Sequence, residues 1–523
     1  MIVGDRFWLK QTLVLSCILA MGLALRIIHW SPSPDGDEAR YINHAYALAQ
    51  GGVPEYFDGA IAVRIPYLGF LVLWGALFGY ATPILQSSGL ATYVLSGFLL
   101  WIITRKLYNT KAAHVAAFLF SMLPIHIMLS THALTDDLGL VFALGAVLAW
   151  ILATEQTNPL RSSLLFIVSG LLAGVATGIR QPFFLLGIIL PLGSYMSGIR
   201  LSRCVKGVLV FAVSAFSYFL TESIAFWGWL GDPLFRLHHD VLQEVAESAM
   251  VNLLSRPPMT FVQKIFAFRG YLPSLLPSGG FGFVPVLVGL AVVDRISRRD
   301  RHAYIPLAVI IILAAYHFWG TTSLRGWSLP AVNSRYLIPS VAAGCILCGA
   351  VISSIHQNYG FNLSTSLAAG LFTLIVSVWI VAYGGRPNCV TEFAAYLARI
   401  PASERAQLVI PESVKRCFLP KDYWKYVEGM QVVPDEQLAQ IESMGLSRIR
   451  GIAVPNETFY RYSHIGVIDA LERTASWWQK EEVVGKKWPS YLMLTGKPSA
   501  RVIGFIYYCA DSQKQAKNNT VAP

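Results

Sequence analysis

A chain of 523 residues that is 54% hydrophobic and only 14% charged, with a mean hydropathy of +0.51, is too apolar for a soluble protein of this size. The formal charge of +11 does not indicate a nucleic-acid partner, because much of the excess lies in short loops between apolar runs, where Lys and Arg set membrane orientation. The composition implies an integral membrane protein whose long apolar runs stop near Gly384, leaving a C-terminal stretch that reads as water-soluble.

The first apolar run, Thr12 to Ile28, has spanning length and no small-residue cleavage pattern after it, so it is expected to be a retained helix. Directly behind it stands SPSPDGDEARY, with Asp35, Asp37 and Glu38. Charges are costly beside hydrocarbon, so such a cluster must be solvated, paired or functional. Asp37 and Glu38 open ARYINHAYALAQGG, a pattern that suits a short amphipathic helix lying on the membrane face. A carboxylate at a helix start is stabilised by the dipole, so Asp37 can be a cap, a site residue or both.

Further apolar runs fall at about 66–82, 84–104, 112–130, 138–153, 163–178, 182–196, 207–230, 281–293, 303–319, 337–356 and 363–383. The basic loops hold Arg105, Lys106 and Lys111; Arg161; Arg200, Arg203 and Lys206; and Arg295, Arg298, Arg299 and Arg301, and these are expected in the cytoplasm with Arg6 and Lys10. Counting 66–82 and 84–104 as two crossings would put Arg105 and Lys106 on the wrong side. The run from Pro66 to Thr82 is short, bounded by Pro66 and Pro83 and holds three glycines, so it is expected to be re-entrant or juxtamembrane. The result is an all-α polytopic bundle of about eleven transmembrane helices with outer-face juxtamembrane helices. Loops 131–137, 231–280 and 320–336 then share the outer face with the C-terminal domain.

Helices are expected within the long outer loop at Leu234 to Leu254 and Pro258 to Phe268. Beyond the transmembrane domain (1–384), residues 385–523 alternate strand-like runs (Gln407 to Ile410, Arg450 to Val454, Tyr491 to Leu494, Val502 to Tyr508) with helical stretches (Glu436 to Ser443, Val467 to Gln479). That alternation predicts a small α/β extracytoplasmic domain with a disordered tail after residue 510. Of seven cysteines none has metal or redox spacing, and one disulfide among Cys389, Cys417 and Cys509 is expected in an oxidising compartment.

A second acidic pair, Asp136 and Asp137, follows Thr135 at the start of another run and belongs, by the same topology, to the outer face. Arg64 in AVRIPY and Arg180 in TGIRQP stand at outer ends of apolar runs. Either alone reads as a snorkelling anchor, but two cations near an acidic pair read as a phosphate clamp. His126 and His132 are near enough in sequence to join Asp37, Glu38 and Asp136 around a divalent ion, with Asp37, Asp136 and His132 as the ligand set, although no spacing demands a metal. The loop SLRGWSLPAVNSRYLIP adds Arg325, Arg335 and Tyr336 at the bilayer edge, whereas His238, His239 and Asp240 read as loop polar residues and Trp227, Trp229, Trp319 and Trp327 as interfacial anchors.

An outer-face Asp-Glu-x-x-Tyr (Asp37, Glu38, Tyr41), an Arg and Pro about 25 positions on (Arg64, Pro66), an acidic residue roughly 70 positions later (Asp136) and a late Arg-Tyr-x-x-Pro (Arg335, Tyr336, Pro339) together resemble the GT-C glycosyltransferases. The resemblance is to the branch of protein O-mannosyltransferases and the lipid A aminoarabinose transferase, and it covers about residues 10–350. It implies transfer of a sugar from a polyprenyl-phosphate donor to a glycan, lipid or protein acceptor on the outer face of the membrane, and short loops without an evident eukaryotic retention signal make a bacterial inner membrane the expected location. By that resemblance Asp37 is the catalytic carboxylate, with Glu38 beside it; Asp136 is the second acidic position, with Asp137 its doublet alternative. Tyr41, Arg64, Arg180, Arg335 and Tyr336 serve the carrier phosphate and substrate, and metal dependence stays open. A Thr-Asp-Asp doublet departs from the family's lone acid. A transporter or flippase, or a polymerase of lipid-linked glycans, is the competing class, but acidic residues in outer loops and the lack of a hydropathy repeat favour transfer.

Overall fold

The computed structural model describes residues 2–28, 30, 36–52, 59–238, 266, 269, 281, 284–319, 334–359, 393, 396–411, 425, 427–433, 451–455, 478–484 and 502–509. The run at 363–383, the strand expected at Tyr491 to Leu494, the helices expected at Pro258 to Phe268 and Glu436 to Ser443, the tail after 510, Arg325, Trp327, His239, Asp240, Cys389 and Cys417 lie outside them wholly or nearly so.

Helices α1 (Ile2–Ile28), α5 (Thr82–Leu107), α8 (Thr135–Glu155), α9 (Pro159–Ile179), α11 (Leu201–Leu230), α13 (Tyr304–Trp319) and α14 (Ile338–Tyr359) form the frame. Seven helical segments among the described residues are long and apolar enough to cross a membrane, against the eleven or so expected. Of the four expected spans not among these seven, 363–383 lies outside the described residues and the other three are broken or short. The run at 112–130 is not one helix: α6 (Thr110–Ser121) stops, and a six-residue α7 (Pro124–Leu129) restarts at Pro124, which lacks the N–H a continuing helix needs. The run at 182–196 begins as a 3₁₀ turn, Gln181–Leu185, and becomes α10 (Leu186–Met196). The run at 281–293 is α12 (Val284–Ser297), only 14 residues long.

The stretch after Pro66 behaves as its composition requires. α4 (Ile65–Phe78) has 14 residues, about 21 Å of helix, which falls short of a ~30 Å hydrocarbon core. Its Trp74 Nε1 donates to Ile84 O at 2.9 Å, so α4 folds back beside the start of α5. The amphipathic segment forms α2 (Gly36–Ala49), and α3 (Gly59–Ala62) is a single turn.

The helices alternate in direction, and cross-contacts define the two ends of the bundle. At one end Lys106 pairs with Glu155 at 2.7 Å, Arg203 donates to Thr154 O at 2.8 Å, and Tyr108 meets His302 at 6.1 Å. All four basic loops gather there. Both acidic doublets sit at the opposite end. Between the ends lies one apolar core, in which Trp150 is wholly buried, donates to Ser194 Oγ at 2.7 Å and meets the rings of Phe166 and Phe211 edge-on. Helix pairs close without large side chains between them: a Cβ on Gly170 of α9 would stand 2.3 Å from Phe211 O of α11, the small-residue contact that brings membrane helices together. The outward side of α11 exposes Leu209, Val213, Phe216 and Leu220, a stripe that suits lipid rather than water.

Toward the C-terminus five strands, β1 (Leu408–Pro411), β2 (Gln431–Val433), β3 (Gly451–Pro455), β4 (Trp478–Val484) and β5 (Val502–Cys509), pair in the order β2-β1-β3-β5-β4. β1 is parallel to β2 and β3, and β5 is antiparallel to β3 and β4. Three strands fall where strand-like runs stand in the sequence. The expected helix at Val467 to Gln479 is corrected at its end: Trp478 and Gln479 begin β4, paired with Cys509 and Tyr508.

Candidate active site

Each acidic doublet opens a helix. Asp37 and Glu38 lie in the first turn of α2, and Asp136 and Asp137 in the first turn of α8, where free backbone N–H groups and the dipole favour negative charge. Consecutive helical residues point about 100° apart, so the members of a doublet cannot face the same way. In both pairs the first member faces a cleft of arginines and the second is tied into the bundle.

Asp37 accepts a hydrogen bond from Arg335 Nη2 at 3.0 Å and stands 3.9 Å from Arg40. Asp136 pairs with Arg180, and its other oxygen lies 3.9 Å from Arg335 Nε. Arg335, on a 3₁₀ turn (Ser334–Leu337) leading into α14, therefore joins two carboxylates from distant helices. Arg64 Nη1 donates to the Tyr41 hydroxyl and to Thr135 Oγ1, the latter at 3.3 Å, beside Asp136. Tyr336 lies beneath the guanidinium groups of Arg180 and Arg335, 4.5 and 5.5 Å from its centroid, and against His317 at 5.6 Å. Gly139, one turn into α8, makes room for this: a Cβ there would stand 3.0 Å from Phe183 and 3.5 Å from the Arg180 side chain.

The second members do other work. Glu38 accepts from the Ala133 N–H at 2.5 Å and meets His132 Nδ1 at 2.7 Å, fastening α2 to the segment before α8. Asp137 lies 3.2 Å from His126 Nε2, and His126 Nδ1 accepts from Arg26 at 2.9 Å. Arg26, wholly buried on α1, also donates to Ser130 Oγ, Gly22 O and Ser121 O and stacks on Tyr93 at 3.4 Å. Side-chain exposure follows the same division: Asp37 is 38% exposed, against 0% for Glu38, 8% for Asp136 and 4% for Asp137.

The expected metal triad is not assembled. His132 turns to Glu38, while Asp37 and Asp136 turn to arginines, and among the described residues no group of three acids, histidines or cysteines could hold a metal ion. Instead Arg40, Arg64, Arg180 and Arg335 meet two carboxylates, Asp37 and Asp136, leaving an excess of positive charge that suits an anion. Burial, and then the neighbouring Arg180, push Arg64 down to about 10, so these cations repel one another across a space that an anion would fill. Burial works to raise the Asp37 carboxyl, but Arg335 and Arg40 outweigh it and hold Asp37 below the ordinary carboxylate range.

A narrow cleft of about 30 Å³ opens on Asp136, Arg180, His317, Arg335 and Tyr336. It continues past Phe183, Leu313 and Pro339 into a wholly apolar groove of about 40 Å³ lined by Leu140, Val147 and Ile305 among others. Polar head and apolar extension together match an amphiphile.

One further residue was not predicted. Arg236, at the start of the long loop, donates to both carboxylate oxygens of the buried Glu222, at 2.6 and 2.7 Å, and its Nη2 also bonds Val63 O and Gly178 O, the latter at 3.1 Å. Those carbonyls lie one residue before Arg64 and two before Arg180, so Arg236 braces the backbone beneath both cations. No pattern around Arg236 announces this; only tertiary packing does.

The bundle is similar as a whole to the oligosaccharyltransferase AglB of Archaeoglobus fulgidus, solved with an inhibitory peptide and a dolichol-phosphate: TM-score 0.55 at 13% identity, covering 91% of this chain and 73% of that one. The same enzyme tethered to an acceptor peptide gives 0.53 at 12% identity, covering 94% and 74%. The fold is shared with that oligosaccharyltransferase. Residues 69–227 match the family model of dolichyl-phosphate-mannose-protein mannosyltransferase, and this segment holds Asp136, Asp137 and Arg180. A lower likeness, TM-score 0.46 at 14% identity over 87% of this chain and 74% of the other, is to ArnT from Cupriavidus metallidurans bound to undecaprenyl phosphate. No curated protein matches the sequence.

Proposed function

We propose that this chain moves a sugar from a polyprenyl-phosphate carrier to an acceptor hydroxyl on a glycan, lipid or protein, at the outer face of the inner membrane. The observation that carries the reading is the junction at Arg335, where Asp37 and Asp136 meet at the mouth of an apolar groove. The carrier's phosphate enters among Arg64, Arg180 and Arg335, and its isoprenoid tail lies in the groove. By competing for Arg335, the phosphate frees Asp37 from its ion pair and makes that carboxylate a stronger base. Asp37 then takes the acceptor's proton while the acceptor oxygen bonds to the anomeric carbon. The bond from that carbon to the phosphate oxygen breaks on the opposite side, and the arginines hold the departing charge. Asp37 suits this role because it is the most open of the four carboxylates. Asp136 orients Arg180 and Arg335. A single displacement inverts the anomeric configuration.

The test is transfer from radiolabelled polyprenyl-phosphate sugars in native membranes, wild type against Asp37→Asn at matched expression. Loss of a general base predicts a fall of about 10²- to 10⁴-fold. Equal transfer by the variant rejects the role of Asp37, and the anomeric configuration of the product decides inversion.

A further inference from the structure

At the end of the bundle opposite the acidic doublets lies a cavity of about 580 Å³, lined by Thr157, Gly198, Arg200, Ser202, Arg203 and Lys206 among others. It sits where the connection between α8 and α9 meets the connection between α10 and α11. Arg301 joins the rim: a Cβ on Gly198 would stand 3.5 Å from its Nη1. Three cations thus line one hollow, with Arg301 beside it.

Among the described residues, no carboxylate forms an ion pair with Arg200, Arg203, Lys206 or Arg301; the nearby Glu155 is taken by Lys106 at 2.7 Å. Arg203 is held in place rather than free to wander, since it donates to Thr154 O at 2.8 Å and to Gln156 O at 3.0 Å. Those two bonds are to carbonyls and not to a carboxylate, and Arg203 lines the cavity. Hydroxyls of Thr157 and Ser202 add donors suited to phosphate oxygens.

The walls beside the hollow are apolar and open. Leu201, Val205 and Leu209 on α11 are 62%, 50% and 62% exposed, and Leu160 and Leu164 on α9 are 69% and 53% exposed. Cations at a helix end above a flank of exposed leucines and valine are arranged for a ligand with an anionic head and hydrocarbon chains. A basic pocket between transmembrane helices, at the end where the basic loops gather, is where anionic headgroups bind.

We propose that this cavity binds the phosphodiester headgroup of an anionic phospholipid, with Arg200, Arg203, Lys206 and Arg301 around the phosphate and the acyl chains along α9 and α11. The site is a helix length away from Asp37 and independent of the transfer reaction.

The experiment uses the full chain, delipidated in detergent, with native mass spectrometry counting bound phosphatidylglycerol, phosphatidylcholine or inorganic phosphate. The expected result is retained phosphatidylglycerol in excess of phosphatidylcholine. In Arg200→Gln/Lys206→Gln, which leaves the carbonyl bonds of Arg203 intact, phosphatidylglycerol affinity falls about thirtyfold, equivalent to ~2 kcal/mol for two cations. Arg200→Lys retains most binding, and sugar transfer is unchanged in both variants. Equal retention of phosphatidylcholine, binding of inorganic phosphate as tight as that of phosphatidylglycerol, or unaltered phosphatidylglycerol affinity in the double variant overturns the proposal. Gel filtration of each variant separates lost binding from lost folding.

Discussion

Arg335 donates to Asp37 at 3.0 Å across 298 positions of sequence and lies 3.9 Å from Asp136, so one guanidinium holds together the two carboxylates that face the cleft. Its removal should therefore change the acidity of Asp37 as well as the binding of phosphate.

In the folded protein Asp37 is depressed below its ordinary value of ~3.9, so the carboxylate persists to low pH and the charge it contributes is lost only as pH falls through that lowered value. The acidic limb of kcat/KM in wild type is expected below pH 4. In Arg335→Gln the largest attractive neighbour is gone, and the limb should move upward. An unmoved limb in an active Arg335→Gln variant rules out titration of Asp37 as its source.

Asp136→Asn and Asp137→Asn should differ in kind. The first should lower transfer by ~10²-fold or more, since Asp136 lines the cleft and orients Arg180 and Arg335. The second leaves Arg26 and His126 buried without their counter-charge, at a cost of about 3 kcal/mol, and is expected to show as lost thermal stability in detergent. Equal effects on both readouts would contradict the division of the doublet.

Arg236→Met should raise KM for the donor several-fold, because the backbone under Arg64 and Arg180 loses its brace. Glu222→Gln, which keeps the shape and removes the charge that orients Arg236, should do the same more weakly. Donor titrations of the purified variants check both.

Gly170→Val places a side chain where only 2.3 Å separates a Cβ from Phe211 O. The contact between α9 and α11 must open, and a stability loss of about 1–3 kcal/mol is expected, measured by thermal shift in detergent.

Much of the cleft is legible in sequence because charged residues at the ends of apolar runs are few. Asp37, Asp136, Arg64, Arg180 and Arg335 stand out for that reason, and Tyr41 and Tyr336 lie beside two of them. The amphipathic α2 and the short α4 are legible from polarity and from prolines. Pairings are not. Nothing in TDDLGL says which aspartate faces the cleft, since that depends on the phase at which α8 packs. Arg26 looks like an ordinary flanking cation of the first run, although it is wholly buried and holds His126. His126 and His132 stand out as polar groups near acids, but partner choice decides their role, and each takes the second member of a doublet. The break at Pro124 is visible as a proline, yet whether a membrane helix kinks or stops there is decided by its neighbours.

The doublets also carry a consequence for how this chain tolerates change. Because neighbouring side chains serve opposite surfaces, a one-residue deletion just ahead of Asp136 brings Asp137 to the arginines and Leu138 to the place Asp137 held, while composition stays almost intact. The two helix starts are thus reading frames in miniature: substitutions inside them weaken single contacts, but a shift of one disturbs both jobs at once.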